Sequence, residues 1–229
     1  MIHAIFFDFN GVIIDDERLQ LQVYQELLRE QGIELTEVDY MNSLGMDDET
    51  FVRAAYQRTN TALSDETLTT MLAEKTLRHR KLIENEIPFF PGVITFLKAL
   101  SREHAVGLVS MATLAEAGYV LERAQIEHLF SVIVTAEDVS VCKPAPDCYR
   151  IALEKLNEKR RAERLLPLLP EECLVIEDSP PGIESGKGAG MRTLGVTNTV
   201  SEEALRAAGA DVVTPSLFDW TVDAVHHLF

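Results

Sequence analysis

The chain has 229 residues, 46% of them hydrophobic and 25% charged, and this length allows one large domain or two modest ones. Its 21 basic and 37 acidic residues give a formal charge of −16, and such a surface repels nucleic acid and anionic membranes. We therefore expect neither as a partner.

The cysteines and the N-terminus indicate the compartment. Cys142, Cys148 and Cys173 include no CxxC pair, which is typical of free thiols in a reducing compartment. The N-terminal apolar run is too short for a signal peptide, and no segment approaches the ~18 apolar residues of a membrane span. We expect a cytoplasmic protein that is a monomer or a weak dimer.

Six short apolar runs predict buried strands. The later runs alternate with helical stretches such as 113–125, 146–157 and 217–228, and the basic stretch 157–172 extends the second of these before it loops. Continuous apolar strands that alternate with helices are typical of a parallel sheet covered on both faces. The predicted strands are 3–7, 105–109, 131–135, 173–177, 193–197 and 211–214.

Residues 16–84 interrupt this alternation. They have apolar residues at helical spacing and no clear strand, which predicts about three or four helices in a separate bundle, one of them starting near Asp48. Pro91 marks the return and the start of the helix that leads to the second strand. We expect residues 1–15 and 85–229 to form one domain, with the bundle inserted into it.

Polar side chains follow four of the predicted strands. The carboxyl ends of parallel strands lie at one edge of a sheet, where ligands bind. Carboxylates are the ligands that Mg²⁺ prefers, and lysine and hydroxyl groups bind phosphoryl oxygens. The sequence therefore predicts a site for a metal ion and a phosphate, formed by Asp8, Asn10, Ser110, Lys143, Glu177 and Asp178.

These residues lie in four motifs, "DFNGVIIDDE", "LVSMAT", "CKPAPDCY" and "VIEDSPPGIESGKGAGM". In content and order the motifs resemble those of the haloacid dehalogenase superfamily, over nearly the whole chain. The branch with a small helical cap, which includes β-phosphoglucomutase and phosphoglycolate phosphatase, is the most similar. The resemblance implies an α/β fold with a Rossmann-like, doubly wound parallel sheet as core and an inserted small α-helical cap.

The resemblance also implies a Mg²⁺-dependent phosphohydrolase that acts on a small phosphorylated metabolite. By position, Asp8 resembles the nucleophile that forms an aspartyl-phosphate. Ser110 resembles the residue that binds the phosphoryl group, and Lys143 the lysine that neutralises both charges. A carboxylate that attacks phosphorus needs such cations, because two anions repel each other.

The same resemblance assigns the metal ligands. Asp178 resembles the Mg²⁺ ligand that acts with Asp8, and Glu177 stands beside it. The backbone carbonyl of Asn10 matches a position that also ligates the metal, and this role does not depend on the side chain. Gly11 resembles the glycine of the turn behind the nucleophile.

The side chain of Asn10 departs from the family pattern, in which this position usually holds an Asp that moves protons. General acid–base catalysis contributes about 10²–10⁴-fold, and Asn cannot carry a proton. The protein is then a slow phosphatase or one for good leaving groups such as acyl or pyrophosphate esters, a phospho-ligand binding protein that has lost turnover, or a chain in which Asn was introduced to trap a complex. A β-phosphoglucomutase-like phosphomutase is a further alternative, although it needs the same proton carrier. Asp15 and Asp16 are candidate substitutes.

Residues of the cap that contact the substrate are harder to predict. Lys75, Arg78 and Arg80 are candidates, because a cation would attract an anionic substrate to a very acidic protein. The alternative is that each is an ordinary exposed helix residue.

Overall fold

One parallel sheet of six strands organises the protein, and the computed structural model describes all 229 residues. The strands are β1 (Ala4–Phe7), β2 (Ala105–Val109), β3 (Val132–Val134), β4 (Cys173–Glu177), β5 (Arg192–Val196) and β6 (Val212–Thr214). Their order is β3-β2-β1-β4-β5-β6, and every pair is parallel. This is the predicted doubly wound sheet, and its strand order reverses between β1 and β4, where such folds bind ligands.

All six predicted strands are confirmed, with bounds that agree within one residue. The central strand β1 shows why its sequence is continuously apolar. Ile5 and Phe7 face one apolar layer, while Ala4 and Phe6 face the other. Because successive side chains point to opposite faces, a strand covered on both sides has no polar positions.

Ten α-helices complete the fold. They are α1 (Glu17–Glu30), α2 (Glu37–Met41), α3 (Asp48–Arg58), α4 (Asp65–Ile83), α5 (Val93–Leu100), α6 (Leu114–Ala124), α7 (Asp147–Ala162), α8 (Pro180–Gly188), α9 (Glu202–Ala207) and α10 (Val222–Leu228). Helices α5, α6 and α10 pack on one face of the sheet, and α7 packs on the other. None of the ten is both long and apolar enough to span a bilayer.

Helices α1–α4 pack around an apolar cluster of their own, which includes Leu28, Phe51 and Leu68. Helix α3 begins where predicted, because the Asp47 carboxylate accepts a hydrogen bond from the Thr50 amide at 2.7 Å and caps the helix. Because of this separate cluster, we propose that residues 16–84 form a cap and that residues 1–15 and 85–229 form the core.

Two helix starts differ from the prediction. Helix α5 begins at Val93 rather than Pro91, because Gly92 caps it with a φ of 78°, and a Cβ there would lie 2.8 Å from the Phe218 backbone. The predicted helix 217–228 begins only at Val222. The five residues before it form a turn instead, which buries Leu217 in the core.

Candidate active site

The carboxyl end of β1 places Asp8 at the centre of the site. The Asp8 amide continues the sheet by donating to the Ile176 carbonyl at 3.0 Å. Its carboxylate accepts a hydrogen bond from Lys143 Nζ at 2.9 Å, and the side chain stays 13% exposed. A fixed backbone and a partly accessible carboxylate are what a nucleophile requires.

Lys143 joins three strand ends. Its ammonium donates to Asp8 Oδ1, to Glu177 Oε1 at 2.6 Å and to the Val109 carbonyl at 3.4 Å. Burial opposes the charge, but the two carboxylates outweigh it and raise the pKa of Lys143 above its usual range. The lysine therefore stays charged.

Glu177 supports Lys143 rather than facing the cavity. Its side chain is completely buried, and it also accepts hydrogen bonds from the Tyr149 hydroxyl at 2.7 Å and the Ser179 hydroxyl at 3.2 Å. A Cβ on Gly182 would lie 1.9 Å from this carboxylate, so the first turn of α8 needs a glycine there. Glu177 thus has little capacity left to bind a ligand.

Three carboxylates meet beside this single lysine. Oxygen atoms of Asp8, Glu177 and Asp178 lie within 4.8 Å of one another. Burial and Glu177 raise the pKa of Asp8 to about 7, although Lys143 lowers it. Burial, with Glu177 and Asp8, raises the pKa of Asp178 well above its usual range. Such a deficit of positive charge, lined by oxygen atoms, fits a hard divalent cation.

The surrounding loops leave room for this cluster. A Cβ on Gly11, which has a φ of 74°, would lie 1.9 Å from Asp178 Oδ2. The Thr199 hydroxyl donates to the same oxygen, and Asn198 donates to the Gly11 carbonyl at 2.8 Å. Ser110, buried after β2, accepts a hydrogen bond from the Ala112 amide at 3.0 Å, which leaves its hydroxyl hydrogen free to donate.

The side chain of Asn10 is bound by a buried acid. Its amide nitrogen donates to both carboxylate oxygens of Asp16, at 3.0 and 2.8 Å. Asp16 has no exposed side-chain surface, and it also accepts from Gln20 Nε2 at 3.0 Å and contacts His79 Nε2 at 2.8 Å. An aspartate at position 10 would face this carboxylate, so Asn10 and Asp16 form a matched pair.

One side of the cavity, called the cap side below, is lined by residues of helices α1–α4 and by Glu116 of α6. It contains a second buried lysine. Lys75 Nζ donates to Asp48 at 2.8 Å and to Glu116 at 2.9 Å, with 2% of its side chain exposed. The interpretation of Lys75 as an exposed helix residue is therefore wrong. Arg78 binds Glu30 and Glu74, Arg80 is exposed and stacks on the ring of Tyr119, and neither arginine lines the cavity.

Glu17, in the first turn of α1, lines the same cavity as Asp8 and Asn10. It accepts a hydrogen bond from the Tyr40 hydroxyl at 2.7 Å. Burial and the neighbouring Asp16 raise the pKa of Glu17 to about 7, although the hydrogen bond lowers it. Glu17 can therefore gain or lose a proton near neutral pH.

Comparison with known families matches residues 2–190 to haloacid dehalogenase-like hydrolases. The chain belongs to this family. It is 28% identical over 211 residues to the phosphorylated carbohydrates phosphatase of Thermotoga maritima, covering 91% of this chain and 92% of that protein. It is also 28% identical over 225 residues to hexitol phosphatase B of Escherichia coli, covering 96% and 95%. The structure of β-phosphoglucomutase from Clostridium difficile matches with a TM-score of 0.84 and 25% identity, over 100% of this chain and 97% of that one.

This haloacid dehalogenase-like hydrolase brings all six predicted site residues to one edge of the sheet, with the side chain of Asn10 bound to Asp16. The predicted substitutes Asp15 and Asp16 do not line the cavity, since Asp15 is exposed and Asp16 is buried below it. The sequence did not point to Glu17 or His79. Glu17 is the last residue of the first motif, which was a usable signal, whereas His79 lies 63 residues from its partner.

Proposed function

We propose that this hydrolase is a Mg²⁺-dependent phosphatase that cleaves phosphate monoesters of small sugars or sugar alcohols through an aspartyl-phosphate on Asp8. The observation that carries the proposal is the meeting of Asp8, Lys143 and Asp178 where the strand order reverses. The carboxylates of Asp8 and Asp178 and the carbonyl of Asn10 would hold the Mg²⁺. Bound Mg²⁺ would supply the positive charge that lets one anion attack another.

The protein groups around Asp8 have distinct tasks in this reaction. Lys143 binds Oδ1 of Asp8, which orients the carboxylate and leaves Oδ2 for the attack on phosphorus. The same ammonium neutralises charge on the phosphoryl group as it arrives, and the Ser110 hydroxyl donates to a phosphoryl oxygen. Glu177 keeps Lys143 in place.

The charges on the cap side support the substrate class. Glu17, Asp48 and Glu116 line this part of the cavity, and its one cation, Lys75, is already bound by the last two. Carboxylates accept hydrogen bonds from sugar hydroxyls but repel a second phosphate. A neutral polyol with one phosphate fits this arrangement, and two relatives are named for phosphorylated carbohydrates and for hexitol.

One specific observation favours an alternative. Because Asn10 cannot transfer a proton and its side chain is bound to Asp16, a phospho-ligand binding protein without turnover is a second candidate. A phosphomutase that moves phosphate between two positions of a sugar must hold a doubly phosphorylated species. The acidic cap side opposes that species.

The test measures phosphate release from hexose monophosphates, hexitol monophosphates and hexose bisphosphates, with Mg²⁺ or with chelator. We expect Mg²⁺-dependent release that favours monophosphates by at least about tenfold. Asp8→Asn lowers it by about 10⁴-fold or more, and the exposed Asp15→Asn serves as the matched control. Retained activity in Asp8→Asn contradicts the nucleophile. Phosphate binding without release identifies the binding protein, and an isomerised sugar phosphate identifies the mutase.

A further inference from the structure

We infer that Glu17 is the proton carrier of this reaction, replacing the side chain at position 10. The inference rests on the proposed function. It assigns a catalytic task to a residue outside the metal and phosphate site.

Neither residue of the Asn10–Asp16 pair can do this work. Asn10 has an amide, and both of its contacts to Asp16 use the amide nitrogen. Asp16 does carry a carboxylate, but it is completely buried, is bound by Asn10, Gln20 and His79, and does not line the cavity. A proton carrier must come within hydrogen-bond reach of the reacting oxygen.

The other carboxylates of the cap side are occupied. Asp48 and Glu116 both bind the ammonium of Lys75, and Asp48 also accepts a hydrogen bond from the Tyr24 hydroxyl. Their oxygen atoms are thus engaged by a cation and are less free to approach a substrate. Glu17 differs, because its single side-chain partner is the neutral hydroxyl of Tyr40.

The charges that face Glu17 set its protonation near neutrality. Burial contributes most to raising its pKa, and the carboxylates of Asp16 and Asp8 add to this, while Tyr40 and Lys75 lower it. Asp178 is a further carboxylate whose negative charge interacts with that of Glu17. The resulting value of about 7 is close to the optimum for a group that gives a proton in one step and takes one in the next.

The two steps balance with Glu17 in this role. As Asp8 attacks phosphorus, the ester P–O bond breaks and the departing oxygen takes the proton of the Glu17 carboxyl, giving the alcohol. Water then attacks the aspartyl-phosphate while the Glu17 carboxylate removes its proton. The P–O bond to Asp8 breaks, and inorganic phosphate, free Asp8 and protonated Glu17 are regenerated.

The test compares two substrates in the full protein with Mg²⁺. A sugar alcohol phosphate has a poor leaving group that needs a proton, whereas p-nitrophenyl phosphate has a good one that does not. We expect Glu17→Gln to lower kcat/KM for the sugar ester by about 10²–10⁴-fold. The variant should keep a pre-steady-state burst of p-nitrophenolate, because formation of the phosphoenzyme from this ester needs no acid.

The pH profile gives a readout that a merely structural role would not change. In the native protein, kcat/KM for the sugar ester should fall as pH rises above about 7, because Glu17 must be protonated to give its proton. Glu17→Gln should lack this fall. Tyr40→Phe should move it to higher pH by about one unit, because the lost hydrogen bond favoured the carboxylate.

Controls separate the inference from the proposed function. Glu26→Gln, a half-exposed change on the same helix, should leave both substrates unaffected. If Glu17→Gln lowers kcat/KM equally for both esters, or for neither, Glu17 is not the proton carrier while the phosphatase stands. If the native protein fails to turn over even p-nitrophenyl phosphate, the proposed function itself is wrong. Should Glu17→Gln not fold, Glu17→Asp must keep the pH-dependent fall at reduced activity, and its absence overturns the inference.

Discussion

Two buried lysines in this protein have nearly the same surroundings at opposite ends of one cavity. Lys143 Nζ lies 2.9 and 2.6 Å from two carboxylates, and Lys75 Nζ lies 2.8 and 2.9 Å from two others. Each side chain is 2% exposed, and in both cases the carboxylates outweigh burial and keep the ammonium charged. The two differ in what holds the carboxylates in place.

The partners of Lys143, Asp8 and Glu177, sit at the ends of adjacent strands, so backbone pairing fixes their separation. Lys75 instead extends from α4 to one carboxylate on α3 and to Glu116 on α6, which packs on the sheet. The charges around Lys143 are therefore held in place by the sheet at one end of the cavity. At the other end, the arrangement of charges around Lys75 depends on the position of helices α3 and α4 relative to α6.

The largest expected effect comes from Lys143→Met. This change leaves Glu177 buried without its cation and removes the charge that meets the phosphoryl group. We expect kcat/KM to fall by about 10³-fold and the free energy of unfolding in urea by about 3–5 kcal/mol. Lys187, which forms an exposed ion pair with Asp211, provides the control. Lys187→Met should change neither kcat/KM nor the free energy of unfolding by much. A variant with normal turnover would remove Lys143 from the reaction.

Lys75→Met should have a smaller effect on turnover, because Lys75 joins the bundle to the core without contacting the phosphate. We expect kcat/KM to fall by about tenfold and the free energy of unfolding by about 1–3 kcal/mol, since Asp48 is 18% exposed and water compensates part of the loss. Kinetics and urea unfolding measure the two. A loss of activity as large as that in Lys143→Met would show that the two lysines do the same work.

Asp16 extends the comparison to a buried carboxylate without a lysine, and exchanging it with its partner Asn10 should have the smallest effect. Asn10→Asp places a partly buried carboxylate against the buried carboxylate of Asp16 and should lower the free energy of unfolding by about 1–3 kcal/mol at pH 7. The exchange variant Asn10→Asp/Asp16→Asn restores one acid and one amide and should recover most of the stability. If the exchange is no more stable than Asn10→Asp, the two residues are not a matched pair.

The comparison also shows how far the sequence predicts this protein. Apolar strands and the polar residues that follow them are local features of the sequence, and parallel strands end at one edge of the sheet. The sequence therefore predicts that Asp8, Ser110, Lys143, Glu177 and Asp178 lie together. Their apolar runs and four ordered motifs require no knowledge of distant contacts.

The cap side was less accessible to sequence analysis. Lys75 meets Glu116 across 41 residues, and Asp16 meets His79 across 63, so no local pattern connects either pair. Helical periodicity shows which face of α4 is apolar, but it does not show that a lysine on that helix is buried by acids from elsewhere. The predicted start of α10 is wrong for a similar reason. Leu217 is apolar because it is buried in the core, and not because it belongs to a helix.

The contact between Asn10 and Asp16 also constrains how this sequence can drift over evolutionary time. A first change of Asn10 to Asp meets a buried carboxylate, so selection for stability removes it. A first change of Asp16 to Asn places two amides side by side. The side-chain oxygen of the new residue can still accept one of the hydrogen bonds that Asp16 now accepts. The two substitutions are therefore epistatic, and a lineage could reach an aspartate at position 10 only after position 16 had already lost its acid.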